Sequence, residues 1–327
     1  MKSTLIDDID FGPIWAMSGL LNFYGQGWQY HKILNAMGIN FNRVALVSKT
    51  TTLPARVGNM ELKENLMPKE LIPRSIYVNH RYMIGLNAIS LSGPGAEVIA
   101  RSSKLYNQPK PFQFSFMSVA ATREERLKEF EQFLAIVISE LQRRQSWTRF
   151  AIQINVTCPN TGHGNPETEE VMLMLDMCDE LVNQYRIPII LKVSVETATE
   201  NILTFGNHRN CAGICTSNTV RFGKLPEKID WKKYFPNGSP LAKRNLPVPG
   251  EGGLSGAPLL PLVIQQIIEL RRLGFTKHIN GGGGILYADD VNKILEAGAN
   301  TISIGSVAFL NPWAIPKIIE RAWNIAA

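Results

Sequence analysis

Three groups of residues in this sequence have the types and spacing to do chemistry. The first is Asn280-Gly-Gly-Gly-Gly-Ile285, followed further on by Gly305-Ser306. Glycines let backbone N–H groups come close to a phosphate, and a helix N-terminus adds a favourable dipole. Gly252-Gly253 has the same character ahead of a helical stretch. The second is Asn155-Val-Thr-Cys-Pro-Asn-Thr161, in which two asparagines flank a cysteine. An asparagine amide both donates and accepts, which suits an imide or a pyrimidine edge. A thiol at a loop tip serves as a base or nucleophile where its thiolate is accessible. Taken alone, Cys158 reads more readily as an inert thiol in a Pro-stabilised turn. The third is a pair of lysines, Lys49 in Val-Ser-Lys-Thr and Lys192 in Leu-Lys-Val-Ser. A lysine inside an apolar strand is unfavourable unless it meets a negative partner. For Lys49, an exposed side chain snorkelling at a strand end is an equally simple reading.

These groups need a scaffold, and the second half of the chain supplies its pattern. Short β-rich runs alternate with amphipathic stretches. Strands are predicted at 150–156, 187–193, 212–216, 277–280 and 301–305. Helices are predicted at 167–185, 196–205, 257–273, 288–297 and 313–325. The first half follows the plan less regularly, with strands at 14–17, 44–48 and 113–119 and a helix at 122–144. Eight predicted strands, most of them followed by a helix, favour a closed (β/α)8 TIM barrel over an open sheet. The glycine run then follows the seventh strand and Gly305-Ser306 the eighth, where barrels often hold phosphate. Two stretches, 52–95 and 217–256, break the pattern. Both follow predicted strands, which puts them at the C-terminal face as extra loops or short strands; a lid and a surface insertion both fit.

The chain has 327 residues, 45% of them hydrophobic, and reads as one domain spanning 1–327. Its formal net charge is +6, but its Lys and Arg are scattered, so no nucleic acid is expected as a partner. The cysteines, Cys158, Cys178, Cys211 and Cys215, form no CxxC, and the five histidines show no ligand spacing, so no metal is expected. The low cysteine usage fits a reducing cytosol. No signal peptide or membrane-spanning run is evident, so no membrane is expected as a partner.

Together the motifs resemble those of the dihydroorotate dehydrogenase family. Lys49-Thr-Thr-Thr52 with Arg56 and Gly58-Asn59, Asn87-Ala-Ile-Ser-Leu91, Asn155–Asn160, Gly252–Gly256, Gly281–Ile285 and Ala297-Gly-Ala299 follow the family order. The resemblance runs from about Phe11 to Pro312. It implies an FMN-dependent oxidation of dihydroorotate to orotate in pyrimidine (UMP) biosynthesis. It implies that Asn87, Asn155, Asn160 and Asn218, with Thr219, hold the substrate. Cys158 is then the base that takes the C5 proton, and Lys49 and Lys192 stand beside the reacting groups. Lys192 also lies near flavin N1 and O2. Ser18, Gly19, Lys49, Asn155, Lys192, Gly253, Gly283, Gly284, Gly305 and Ser306 would bind the cofactor. Cysteine at 158 resembles the soluble class, which implies a homodimer or a complex with an electron-transfer subunit. Three departures stand out: Ser90 where the family has glycine, Gly93 where asparagine is common, and an unfamiliar, longer stretch from Val220 to Glu251. They leave open a related dihydropyrimidine or enone oxidoreductase on the same barrel. A barrel that binds a phosphorylated ligand without redox chemistry is the other alternative.

Overall fold

The computed structural model describes residues 3–70, 72–157 and 166–327. Seven strands form one parallel sheet: Ile14–Ala16, Phe112–Phe116, Phe150–Asn155, Ile189–Val193, Cys211–Thr216, His278–Gly282 and Thr301–Ile304. Thr301–Ile304 pairs back onto Ile14–Ala16, with Ile302 opposite Ile14. The remaining gap is filled by residues 45–51 through single parallel bridges, Ala45 to Trp15, Val47 to Gln113 and Thr51 to Phe116. Eight parallel segments therefore close the ring, as the sequence pattern implied. The second is held by isolated bridges rather than a regular ladder.

Side-chain alternation along each strand separates two cores. Phe112, Phe114 and Phe116 face outward and are fully buried, Phe112 against Phe150 and the other two under the helix Arg123–Arg143. Phe116 stacks on Phe133 at 3.9 Å, and Phe114 meets the same ring edge-on at 5.3 Å. Burying each such ring contributes roughly 2–3 kcal/mol. The alternate residues, Gln113 and Ser115, turn to the barrel interior, where Gln153 Nε2 donates to Gln113 Oε1 at 3.0 Å. An N-terminal hairpin, Leu5–Ile6 and Ile9–Asp10, closes the bottom of the barrel. Its Ile6 and Ile9, with Phe11, pack on interior Trp15, Ala45, Val47, Ala151 and Ile190.

The outer helices depart from expectation in two places. The predicted helix at 167–185 is two, Thr168–Asp176 and Asp179–Asn183, broken at Met177-Cys178. A helix at Gln29–Ala36 goes unsignalled, because only His31 and Leu34 of its eight residues are buried. The two irregular stretches meet in one four-stranded antiparallel sheet, ordered Val220–Arg221, Gly253–Gly256, Ile84–Asn87, Ile76–Asn79. Gly252-Gly253 is thus not a loop before a helix: Gly253 begins a strand and pairs with Asn87. One face of this sheet carries Tyr77, Leu86 and Leu254, which with Val220, Ile229, Phe235 and Leu241 form a separate small core. The other face carries Ile76, Val78 and Asn87 and looks onto the barrel mouth.

Candidate active site

A cavity of about 480 Å³ opens between the C-terminal ends of the barrel strands and the antiparallel sheet. Ser18, Gly19, Lys49, Asn87, Asn155, Lys192, Asn218, Thr219, Gly283, Gly284, Gly305 and Ser306 all line it. Gly253 does not line it, although it pairs with Asn87, which does. Cys158 and Asn160 lie outside the described residues.

Register explains why these side chains converge. Asn155 pairs with Lys192, and Lys192 with Cys215, at one level of the barrel. Asn155 is a junction in a buried polar web: its Oδ1 accepts from Asn218 Nδ2 at 3.0 Å, and its Nδ2 donates to Thr50 Oγ1 at 3.3 Å. Asn218 Nδ2 also donates to the Thr157 carbonyl at 2.9 Å, while its Oδ1 accepts from the Thr219 amide at 3.0 Å. Thr50 in turn meets Ser18 Oγ at 2.7 Å and Ser115 Oγ at 3.0 Å. Thr50 is 4% exposed and lines the cavity. Sequence reasoning gave it no role: it stood only within the Lys49-Thr-Thr-Thr52 motif, and threonines are common. Lys49 is buried rather than snorkelling; its Nζ donates to the Ser92 carbonyl and lies 5.3 Å from the Phe23 ring centre.

The wall formed by residues 89–92 is set from behind. The Ile89 carbonyl accepts from the Asn59 amide at 3.0 Å, and the Ser90 carbonyl from Arg56 Nε at 3.4 Å. Gly58, at φ +54°, leaves no room for a side chain, since a Cβ there would lie 2.6 Å from the Ile89 oxygen. Ser90 and Leu91 both adopt left-handed backbone, with φ of 61° and 57°. Glycine is the natural residue for such a position, and here serine and leucine hold it.

At the other end the cavity is glycine-walled. Gly283 and Gly284 have φ of 116° and 79°, and a Cβ on Gly284 would lie 2.6 Å from the Leu260 nitrogen. Ser306 precedes the short helix Val307–Leu310. Behind this end, burial pushes the Cys215 thiol up to about 11, against a smaller opposing pull from Lys192. Among the described residues no group of three or more His, Cys, Asp or Glu could hold a metal ion, and no helix is long and apolar enough to cross a membrane.

The arrangement can enclose a planar polar ring, pair its edges with amides, and place two lysine charges beside it. Fold and site together define a (β/α)8 barrel with a polar cavity at the C-terminal ends of its strands. The dihydroorotate dehydrogenase family model matches residues 12–324, and the chain belongs to that family. It is 27% identical to the catalytic subunit of dihydroorotate dehydrogenase B (NAD(+)) of Listeria monocytogenes serotype 4a, over 94% of this chain and 88% of that protein. The corresponding subunit of Latilactobacillus sakei is also 27% identical, over 94% and 87%. Among solved structures, a DHODH from Eimeria tenella in complex with ferulenol aligns with a TM-score of 0.65 at 14% identity, covering 98% of this chain and 83% of that one. That likeness speaks to the fold alone.

Proposed function

We propose that this protein oxidises dihydroorotate to orotate, with FMN held in the cavity as the hydride acceptor. The observation that carries this reading is the convergence of Asn87, Asn155 and Asn218 with Lys49 and Lys192 on a cavity whose far end is glycine-walled. FMN supplies a ring that takes up hydride; Ser18, Gly19, Lys192, Gly283, Gly284, Gly305 and Ser306 are the residues proposed to hold it, with Gly253 supporting Asn87 from the neighbouring strand. The fit rests on a wall where side chains are excluded and on the buried positive charge of Lys192, which favours negative charge developing nearby.

The chain's own residues account for substrate recognition. With the Ile89 and Ser90 carbonyls turned toward Asn59 and Arg56, peptide planarity turns the N–H groups of Ser90 and Leu91 the opposite way. Paired amide donors in a cavity wall suit a carboxylate, which dihydroorotate carries. Asn87, Asn155 and Asn218, with Thr219, are assigned the ring's amide and imide edges, together with Asn160. Lys49 adds charge beside them. Cys158 is assigned the proton at C5. The hydrogen bond from Asn218 to the Thr157 carbonyl fixes the chain at the cavity one residue before this cysteine.

The relatives' name, catalytic subunit, supports assembly with an electron-transfer subunit; we assign such a partner, a homodimeric core and a cytoplasmic location to this chain as part of the same reading. One observation favours a second reading, a related dihydropyrimidine oxidoreductase. Ser90 adds a side chain to the carboxylate-facing wall. Orotate titrated into the flavin-loaded protein should perturb the flavin spectrum, and Asn218→Ala should weaken that binding about 10- to 100-fold by leaving buried groups unpaired. A spectrum that responds to uracil-type ligands but not to orotate would transfer the assignment to the second reading.

A further inference from the structure

Asn280 is fully buried and makes no part of the cavity wall, yet its amide joins three barrel strands. Its Nδ2 donates to Thr301 Oγ1 at 2.8 Å. Its Oδ1 accepts from Cys215 Sγ at 3.3 Å and from Ser303 Oγ. The thiol is a poor acceptor, so two donors converging on one atom fix that atom as the amide oxygen. The Ser303 proton is therefore held inside the barrel, by Asn280 Oδ1 with Cys215 Sγ beside it. Ser303 lines the cavity with Lys192, Gly283 and Gly305, and what its hydroxyl offers there is a lone pair. An acceptor repels a phosphate oxygen; it suits an N–H or O–H donor.

We propose that Ser303 binds the donor-bearing part of the flavin, its ring N–H or the hydroxyls of its ribityl chain, and that Asn280 is the positioning residue that makes Ser303 an acceptor. The inference rests on the flavin reading above. It assigns Ser303 to the non-phosphate part of the cofactor and gives a purpose to an asparagine buried in the barrel interior.

The test is the dissociation constant of FMN and of riboflavin for apo-protein, from flavin fluorescence quenching. Ser303→Ala should weaken both ligands by the same factor, about tenfold, because the lost contact is shared by both. Asn280→Val should weaken both similarly, and the Asn280→Val/Ser303→Ala double variant should be no worse than the poorer single one, since the two act through one contact. A merely structural asparagine would give additive losses. An effect of Ser303→Ala on FMN but not on riboflavin would place Ser303 at the phosphate and overturn the proposal. So would unchanged constants for Ser303→Ala, a variant that removes one oxygen and reports even where Asn280→Val fails to fold. If the wild-type protein binds neither flavin, the cofactor reading falls and takes this inference with it.

Discussion

Lys192 is a charged side chain in an otherwise apolar strand, 6% exposed, between Asn155 and Cys215 in register. If its charge supports hydride transfer, Lys192→Met should slow anaerobic flavin reduction by about 100-fold or more, measured by stopped-flow, with substrate affinity less affected. Ser90 makes a different prediction. At φ 61° a serine sits in backbone that costs roughly 1 kcal/mol relative to glycine. Ser90→Gly should leave thermal stability unchanged or raise it, whereas the same change in a regular strand would lower it. Lys192 was legible in the sequence because its charge contradicts its surroundings. Thr50 and Ser303 were not, because a hydroxyl is unremarkable until strand register places it beside Asn155 or Asn280. The departure at Ser90 was visible as a residue change, but its left-handed backbone was not.

At the scale of elements, Asn59 ties the two insertions together. Its Nδ2 donates to the carbonyls of Ala88 and Val248, each at 2.7 Å, and its Oδ1 accepts from the Val248 amide at 2.7 Å. Asn59→Ala should detach the 239–250 segment from the cavity wall. Proteolysis within 236–250 should accelerate, and KM should rise more than kcat falls. Equal cleavage rates would show that the other ties between the two stretches, Arg244 Nη1 to the Arg74 and Ile76 carbonyls and Phe235 against Tyr77, hold the segment without Asn59. The repeated strands and helices of the second half were legible because their apolar periodicity is strong. The antiparallel sheet was not. Its four short strands are contributed by two distant stretches, and nothing local in Ile76–Asn79 or Val220–Arg221 names its partner. The segment 44–48 reads as a strand by composition, and the barrel holds residues 45–51 by single bridges.

Across the whole molecule, the site sits on a barrel whose interior carries single polar groups below the cavity, among apolar neighbours. His278 stacks on Trp15 at 5.4 Å and bonds to Thr301 Oγ1 at 2.9 Å. Burial lowers its pKa from 6.5 to about 4. The unfolded chain thus binds this proton at higher pH than the native state. The contribution is fully present above pH 6.5 and is lost as pH falls toward 4, on the order of 3 kcal/mol. Denaturant midpoints at pH 7 and pH 4.5 should show that loss, and His278→Gln should reduce it without abolishing it, because burial lowers the His31 pKa to about 4 as well. The measurement that bears most directly on the central claim is an anaerobic titration of the FMN-loaded protein with L-dihydroorotate, followed by absorbance. The oxidised flavin band should bleach with one equivalent, and Cys158→Ala should slow the bleaching severely at neutral pH while leaving FMN bound. A flavin that stays oxidised under excess dihydroorotate would contradict the account.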